Sequence, residues 1–273
     1  MDNLRVCFLG TGSMGSAVME GLLASGHPAE LISATTFSSE SANKLRAKGI
    51  SAMAIEEATD ANSLLAGDAD LIVLGVKPYQ IVDVLTQIES EIAPNAVVIS
   101  MAAGIKLETM AKALPKNKNL IRTMPNTPAL VGMGVTGVAA SDTAGEDAVE
   151  ATVELFNSVG VALEIDESQI DALSAVSGSG PAWIFYIMEQ WEKIAINHGF
   201  SPEQAALMVR GTFAGSVDLL AQGDKEPSEL RANVTSPGGT TEQIIATLDS
   251  ADLQSIFEAS LQQALKRAKE LGA

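Results

Sequence analysis

The first half of the chain alternates short apolar runs with segments of helical periodicity. The apolar run at 70–76 (DLIVLGV) occupies consecutive positions, which indicates a strand that is covered on both faces of a sheet. Helical patterns over 13–25 and 40–48 separate the first strands. Strands that alternate with helices in this way predict a parallel sheet with right-handed crossovers. The apolar runs predict its strands at 5–9, 31–35, 70–76, 97–101 and 135–140.

After about residue 166 the pattern is helical throughout. We therefore predict an α/β fold, with a doubly wound parallel sheet in an N-terminal domain over 1–165 and an all-helical domain over 166–273. Apolar residues lie on both sides of the segment 202–222, and a helix of this kind is usually buried. A domain of about 105 residues does not easily bury several such helices, which favours homo-oligomerisation through the helical half. One large core within a single chain is the alternative. The predicted helical segments are 169–198, 202–222, 243–248 and 253–271.

Composition narrows the class of protein. Acidic residues outnumber basic ones by 34 to 17, a net charge of −17, which argues against nucleic acid as a partner because phosphate backbones require a basic surface. One cysteine and two histidines argue against a zinc site, whereas a magnesium or calcium site would need only carboxylates and stays open; we predict no metal. No apolar run reaches the length of a membrane span, and the N-terminus lacks the pattern of a signal peptide. We expect a soluble cytoplasmic protein whose ligand is a small molecule.

The sequence GTGSMG at 10–15 matches G-x-G-x-x-G, directly after the first predicted strand and at the start of a helical pattern. In that setting Gly10 allows a tight turn, Gly12 lets the backbone approach a pyrophosphate, and Gly15 permits close packing of the helix on the strand. The helix N-terminus adds N–H donors and the positive end of the helix dipole. We predict that this loop binds a dinucleotide.

The end of the second strand predicts which dinucleotide. NAD sites place an acidic residue there to bind the ribose 2′-hydroxyl. Residues 33–39 contain hydroxyl side chains and no acid, and the first acidic residue is Glu40. Because a carboxylate would repel a 2′-phosphate, its absence favours NADP(H). The arginine that commonly binds this phosphate is missing too, so NAD(H) is a possible second coenzyme.

Two glycine-containing segments of the helical half are candidates for a ligand site. SGSGP at 177–181 interrupts a helical pattern, either as a kink for packing or because a ligand or another chain approaches closely. In NVTSPGGTTEQ at 233–243, Thr240 and Gln243 fit a capping box that would start a helix. An ordinary capped loop and a site for a small carboxylate explain this segment equally well. The site would use the exposed backbone N–H groups at Gly238 and Gly239, together with the hydroxyls of Ser236, Thr240 and Thr241.

Six segments in order resemble the pyrroline-5-carboxylate reductase family over essentially the whole chain. The resemblance implies a Rossmann domain followed by a helical domain that intertwines in a dimer, with dimers often assembling into decamers. It also implies reduction of (S)-1-pyrroline-5-carboxylate to L-proline with NADPH or NADH. NVTSPGGTT is the family signature. The six segments are FLGTGSMG at 8–15, VKP at 76–78, AAG at 102–104, MPNTP at 124–128, SGSGP at 177–181 and NVTSPGGTT at 233–241.

The resemblance further implies a role for each site residue. Thr241 is the candidate catalytic hydroxyl, a hydrogen-bond donor or proton relay at the imine nitrogen, because an imine that arrives protonated needs no strong protein acid. The substrate would be bound by Ser236, Gly238, Gly239, Thr240 and Thr241, with Asp224 near the product. The coenzyme would be bound by Leu9, Gly10, Thr11, Gly12, Ser13, Met14, Ser38, Asn62, Val76, Lys77, Pro78, Ala102, Ala103, Gly104 and, from the helical domain, Asn233.

The chain departs from the family pattern at two places in the coenzyme half. Ser13 stands where Asn is frequent, and Thr36-Phe37-Ser38 stands where many bacterial relatives have Asn-Arg-Ser. The missing arginine weakens the expected binding of a 2′-phosphate, although Ser38 and Asn62 are partial replacements.

Two other functions fit parts of the sequence. The first is another two-domain NADP-dependent reductase, acting on a different imine or on a β-hydroxyacid. β-Hydroxyacid dehydrogenases need a catalytic lysine early in the helical half, whereas the first lysine here is Lys193, far along its helix. The second is a non-catalytic NADP-binding regulator, which would need the glycine loop but not the PGGTT segment.

Overall fold

The computed structural model describes residues 1 and 3–271 and divides the chain into two compact units. The first unit contains residues 1–179 together with the chain from Leu265 onward, and the second contains residues 180–264. The predicted domain boundary after residue 165 stays a prediction.

The first unit is built on an eight-stranded sheet with the strand order β3-β2-β1-β4-β5-β6-β7-β8. Each of the five predicted strands is confirmed, with ends that differ by one or two residues. Three further strands were not predicted from the sequence: β3, β6 and β8. The strands are β1 (Val6–Leu9), β2 (Ile32–Thr36), β3 (Ser51–Ala54), β4 (Leu71–Leu74), β5 (Val97–Ser100), β6 (Leu120–Met124), β7 (Gly134–Ala140) and β8 (Gly160–Glu164).

The sheet is parallel except at one pair, since β7 runs antiparallel to β6. The expectation of a wholly parallel sheet is wrong at this point. The segment between the two strands contains only a 3₁₀ turn over Thr127–Val131, which is too short for the crossover that a parallel neighbour requires. The strand β8 then returns parallel to β7 after a full helical connection.

Helices cover both faces of the sheet, and the side chains of β1 show why its sequence is apolar throughout. Val6 and Phe8 lie in one buried cluster, while Cys7 and Leu9 lie in the other. Side chains alternate between the faces of a strand, so a strand covered on both faces must be apolar at every position. The helices of this unit are α1 (Ser13–Ala24), α2 (Ser39–Arg46), α3 (Ala61–Ala66), α4 (Ile81–Ile88), α5 (Leu107–Ala113), α6 (Glu146–Asn157) and α7 (Ile170–Leu173).

Cys7 provides a test of this buried layer. Its side chain is fully buried, and burial raises the pKa of the thiol from its ordinary value of 9.0 to about 12. Between these two pKa values the unfolded chain ionises its thiol, while the folded protein keeps it protonated. The free energy of unfolding therefore keeps its full value below pH 9 and falls as the pH rises towards 12. We expect native protein at pH 8 to resist a thiol-specific reagent, and the thiol to react fully in denaturant. Rapid labelling of the native protein would contradict the position of β1.

The second unit is entirely helical, and few of its apolar side chains are buried. Within residues 180–264 only Ala205 and Val209 are buried apolar residues, while large side chains such as Phe185, Trp191 and Leu219 are exposed. Two aromatic contacts, Trp183 with Phe257 and Trp191 with Phe213, lie within this unit. An exposed apolar surface of this extent is typical of a region that self-associates. The remaining helices are α8 (Gly180–Asn197), α9 (Pro202–Ala221), α10 (Pro227–Asn233), α11 (Thr240–Ser250) and α12 (Leu253–Leu271), the last of which extends into the first unit.

Candidate coenzyme and substrate sites

The predicted coenzyme loops lie together at the carboxyl edge of the sheet. The strands β1, β4 and β5 are adjacent and parallel, so the segments that follow them share one edge. From β1 the chain continues to β2 on one side, whereas β4 lies on its other side. This reversal of strand order is where doubly wound sheets bind their ligands. The segments are 10–14, 76–78 and 102–104.

Three glycines at this edge are required by packing. Gly10 has φ +86°, and a Cβ there would lie 2.6 Å from Val76 Cγ1. A Cβ at Gly15 would lie 2.8 Å from the carbonyl oxygen of Gly10, and a Cβ at Gly75 would overlap the same oxygen. The backbones of the loop and of the turn after β4 therefore approach each other too closely for any side chain. These glycines would be needed whether or not a ligand binds.

Gly12 is different, because nothing inside the protein explains the missing side chain. Its φ of −71° and ψ of −171° are accessible to any residue, and the nearest atom to a Cβ would be Gly75 O at 3.9 Å. Gly12 is also the N-cap of α1, where no side chain caps the helix and the first turn contains no acidic residue. The open space beside uncapped amides fits a phosphate group. This is the observation that favours a dinucleotide at the loop.

A chain of four hydrogen bonds, buried at the bond between Thr35 and Asn62, supports the loop. Gly10 N donates to Thr35 Oγ1 at 2.9 Å, and Thr35 Oγ1 donates to Asn62 Oδ1 at 2.9 Å. Asn62 Nδ2 donates to Gln87 Oε1 at 2.9 Å, and Gln87 Nε2 donates to Thr59 O at 2.7 Å. Asn62 is only 6% exposed. Its amide is thus used inside the protein, and a role in binding the ribose stays a prediction.

Thr35 was not predicted as a site residue, although a hydroxyl at the end of a buried strand is a signal that could have indicated it. We expect Thr35→Val to leave Gly10 N without its acceptor and Asn62 Oδ1 without its donor. Both groups lie beside the Thr35 side chain, which is only 1% exposed. Two polar groups left without partners should lower the free energy of unfolding by about 1–3 kcal/mol. Coenzyme affinity should fall as well, because the loop loses its support. Chemical denaturation and calorimetry measure the two effects, and Thr35→Ser, which restores the hydroxyl, should recover most of both.

The other predicted coenzyme residues differ in what they expose. The Leu9 side chain is fully buried, so only its backbone lies at the site, where its carbonyl accepts from Gly75 N at 2.9 Å. Ser38 is the N-cap of α2, and its hydroxyl accepts from Ser41 N at 3.3 Å. Lys77 and Ala103 are exposed at the edge of the sheet. Their contacts with a coenzyme stay predictions.

Two of the segments that carry the resemblance contact each other within the first unit. Asn126 of MPNTP is buried, and its Nδ2 donates to Ser177 Oγ at 3.0 Å and to Ser177 O at 3.2 Å. Its Oδ1 accepts from Val135 N at 2.9 Å. A Cβ at Gly178 would lie 3.0 Å from Met124 Cε, so SGSGP includes a glycine at a close approach of the chain to itself. Locally the chain forms a π-helical turn over Ser174–Gly178, before α8 begins at Gly180.

The predicted substrate segment in the second unit begins α11, but not by the predicted capping box. The N-cap is Gly239 rather than Thr240, and no side chain caps it. The pairing of Thr240 with Gln243 is therefore wrong by one position, because the glycine adopts the extended conformation of an N-cap (φ −83°, ψ 169°). Glu242, three residues after this N-cap, stands where a capping box has its acidic residue. Its Oε2 accepts from Gly238 N at 2.9 Å.

The glycine amides of this segment are already used, contrary to the expectation that they are exposed. Gly238 N donates to Glu242, and Gly239 N donates to Ser236 O at 2.9 Å. The donors that remain are the amides in the first turn of α11 and three hydroxyls. Over the described residues, the hydroxyls of Ser236, Thr240 and Thr241 form no hydrogen bond, and Thr241 is half-buried whereas Ser236 and Thr240 are exposed. A small carboxylate and a hydrogen-bond acceptor both fit these donors.

The other two predicted site residues of the helical half lie before α10 and at its end. Asp224 is exposed in the segment between α9 and α10, and Asn233 is the last residue of α10. Lys193 lies on α8, where its Nζ pairs with Glu189 Oε1 at 2.5 Å on an exposed surface. This placement gives no support to a catalytic lysine.

Within residues 1 and 3–271, no group of three or more His, Cys, Asp or Glu side chains is arranged to hold a metal ion. None of the helices in the same part of the chain combines the length and the apolarity needed to cross a lipid bilayer.

Comparison with known proteins decides the family. A family model described as pyrroline-5-carboxylate reductase dimerisation matches residues 167–271. A pyrroline-5-carboxylate reductase of Methanosarcina acetivorans is 35% identical over 273 residues, covering 100% of this chain and 99% of the relative. The chain belongs to the pyrroline-5-carboxylate reductase family. A relative of the same name from Pseudomonas aeruginosa is 35% identical, covering 99% and 98% of the two chains.

Solved structures of the pyrroline-5-carboxylate reductase family have the same fold. A reductase of Coxiella burnetii superposes with a TM-score of 0.93 at 34% identity over 99% of both chains. A Plasmodium falciparum pyrroline carboxylate reductase, solved with NADP bound, gives a TM-score of 0.85 at 27% identity over 100% of both. A model described as NADP oxidoreductase, coenzyme F420-dependent, matches residues 5–104. These matches confirm the predicted Rossmann fold with a helical dimerisation region, and they support a nicotinamide coenzyme and self-association.

Proposed function

We propose that this protein reduces (S)-1-pyrroline-5-carboxylate to L-proline with a reduced nicotinamide coenzyme, the last step of proline biosynthesis, in the cytoplasm. The observation that supports this most directly is the open position at Gly12, beside the uncapped N-terminus of α1, in a chain related to these reductases over its full length. We assign coenzyme binding to the domain 1–165, and substrate binding and association as a dimer, or as a decamer built from dimers, to 166–273.

The bound coenzyme would supply the hydride that reduces the C=N bond at C5 of the substrate. The glycine loop would hold the pyrophosphate through the amides at the start of α1. The first turn of α11 would orient the substrate carboxylate, a positioning effect worth several kcal/mol of barrier. The Thr241 hydroxyl would donate a hydrogen bond to the ring nitrogen, and Ser236, Gly238, Gly239 and Thr240 would complete the substrate loop.

Glu242 affects this proposal, because its carboxylate already accepts from Gly238 N. A substrate carboxylate would have either to displace it or to use the amides of Thr240 and Thr241 beside it. The second arrangement keeps the loop intact and leaves both threonine hydroxyls facing the bound acid.

Two opposing features bear on the coenzyme preference. The absence of an acid from 33–39 favours NADPH, while the structure brings Glu56 to the same turn, which favours NADH. We therefore propose that both coenzymes are used and that NADPH has no large advantage.

The deciding experiment follows oxidation of NADPH and of NADH side by side with pyrroline-5-carboxylate. We expect turnover with both and proline as the product. A β-hydroxyacid dehydrogenase would oxidise the coenzyme only with a keto-acid substrate. A non-catalytic regulator would bind the nucleotide without any oxidation, and either result would overturn the proposal.

A further inference from the structure

A carboxylate from a distant part of the chain lies at the carboxyl end of β2. Glu56 Oε1 accepts from Ser39 N at 2.6 Å and from Ser39 Oγ at 2.7 Å. The backbone holds Glu56 in place, since Ile55 N donates to Thr36 O at 2.9 Å and Glu56 N donates to Phe37 O at 3.3 Å. The segment after β3 thus runs alongside the turn that follows β2.

This carboxylate is a fixed negative charge at neutral pH. The backbone N–H of Ser39, followed by the Ser39 hydroxyl, lowers the pKa of Glu56 below its usual range. Both hydrogen bonds go to Oε1, and among the described residues nothing donates to Oε2. An acceptor oxygen is therefore available beside the turn.

The turn belongs to the coenzyme site because the preceding residue contacts the glycine loop. Thr35 accepts from Gly10 N through its hydroxyl and from Thr11 N through its carbonyl, at 2.9 and 3.2 Å. In dinucleotide sites of this fold, the end of the second strand faces the 2′ position of the adenosine ribose. An acceptor there binds a 2′-hydroxyl, and a negative charge there repels a 2′-phosphate.

Among the described residues no cation forms an ion pair with Glu56, since Lys44 of α2 pairs with Glu40 at 2.7 Å. Residues 32–43 contain neither Lys nor Arg. The nearest arginine along α2, Arg46, directs its donors elsewhere: Nε to Ala52 O at 2.8 Å, Nη1 to Asn43 Oδ1 at 2.8 Å and Nη2 to Glu57 Oε2 at 3.4 Å.

We propose that Glu56 is a specificity-determining residue of the coenzyme site, which accepts a hydrogen bond from the ribose 2′-hydroxyl of NADH and disfavours the 2′-phosphate of NADPH. The assignment rests on the proposed function, since it takes the glycine loop as the coenzyme site. In NAD sites this acid belongs to the second strand itself. In this protein it would come from the segment that follows β3.

The test compares binding of two nucleotides that differ only by the 2′-phosphate, adenosine 5′-monophosphate and adenosine 2′,5′-bisphosphate, by calorimetry on the full-length protein. Glu56→Gln removes the charge but keeps an oxygen that accepts from Ser39. Glu57→Gln is the matched control, because it removes the same charge from the neighbouring residue. A phosphate carries a charge of about −1.5 to −2, so we expect Glu56→Gln to lower the Kd of the bisphosphate about tenfold.

The expected pattern is selective. With Glu56→Gln the Kd of the monophosphate should change by less than about threefold, the gain for the bisphosphate should shrink at high salt, and NADPH should gain relative to NADH. Glu57→Gln should leave the ratio of the two nucleotides unchanged. Equal effects of the two variants, or an equal change for both nucleotides, would overturn the proposal.

Failure of the proposed function gives a different result. If the selectivity depends on Glu56 but the protein does not reduce pyrroline-5-carboxylate, the role of Glu56 would be supported and the proposed substrate would be overturned. Wild-type protein that binds neither nucleotide would overturn both, and thermal unfolding of each variant verifies that it is folded.

Discussion

Gly12→Ser should weaken binding of the nicotinamide coenzyme by roughly tenfold to a hundredfold, about 1.4–2.8 kcal/mol, without destabilising the protein. A side chain at this position has room within the protein, since the nearest atom to its Cβ is 3.9 Å away, and the backbone conformation is an ordinary one. Serine is also a favoured N-cap, so α1 should be as stable as before or slightly more so. Coenzyme affinity should fall because the new side chain fills the space of the phosphate. Its hydroxyl would also accept a hydrogen bond from one of the backbone N–H groups that would otherwise bind the phosphate.

The control for Gly12→Ser is Gly75→Ala, at the neighbouring turn. There an added Cβ would overlap the carbonyl oxygen of Gly10, so overpacking should lower the free energy of unfolding by about 1–3 kcal/mol. Calorimetric titration with NADPH and NADH, together with thermal unfolding, separates the two effects. Coenzyme binding at wild-type affinity by a folded Gly12→Ser protein would show that the phosphate lies elsewhere.

Thr241→Val should lower kcat/KM for pyrroline-5-carboxylate by roughly one to two orders of magnitude, equivalent to about 1.4–2.8 kcal/mol. The substitution keeps the size and branching of the side chain and removes only the hydroxyl, which forms no hydrogen bond within the described protein and is half-buried at the start of α11. The hydroxyl would assist at the imine nitrogen as a donor rather than as a strong acid. Coenzyme affinity should stay unchanged, because Thr241 lies outside the glycine loop.

Steady-state rates with varied imine and saturating coenzyme measure this effect. Thr241→Ser, which restores the hydroxyl, should recover most of the lost kcat/KM, whereas a merely steric role would leave the serine variant impaired. An unchanged kcat/KM in Thr241→Val would remove this residue from the mechanism.

The elements with strong local signals were predicted correctly from the sequence. A strand covered on both faces is apolar at every position, as in β4, and its assignment needs no knowledge of its neighbours. Each of the three strands that were missed departs from this pattern: β3 has three small residues out of four, β6 contains Arg122, and β8 lies at the edge of the sheet. Arg122 is nevertheless buried, because Glu167 and Asp171 pair with it at 3.3 and 3.2 Å. Such pairing depends on residues more than forty positions away.

The start of α11 shows that a local sequence pattern can misplace the N-cap of a helix. A threonine with a glutamine three residues later fits a capping box, but the neighbouring glycine took the N-cap, and Glu242 bonded to the amide of Gly238. Several residues of one segment can satisfy the same amides, and the sequence pattern does not decide between them.

By itself the sequence determined five of the eight strands, the helical character of the second half, the glycine loop after β1 and the family, because these follow from local apolar periodicity and from contiguous motifs. Only the tertiary structure decided which groups meet at the loop. Thr35, Asn62 and Gln87 form one chain of hydrogen bonds that ends on the loop, and Glu56 reaches the turn after β2 from the segment that follows β3. A parallel sheet brings the carboxyl ends of strands together whatever their separation in sequence, so a residue missing from one segment can be supplied by another.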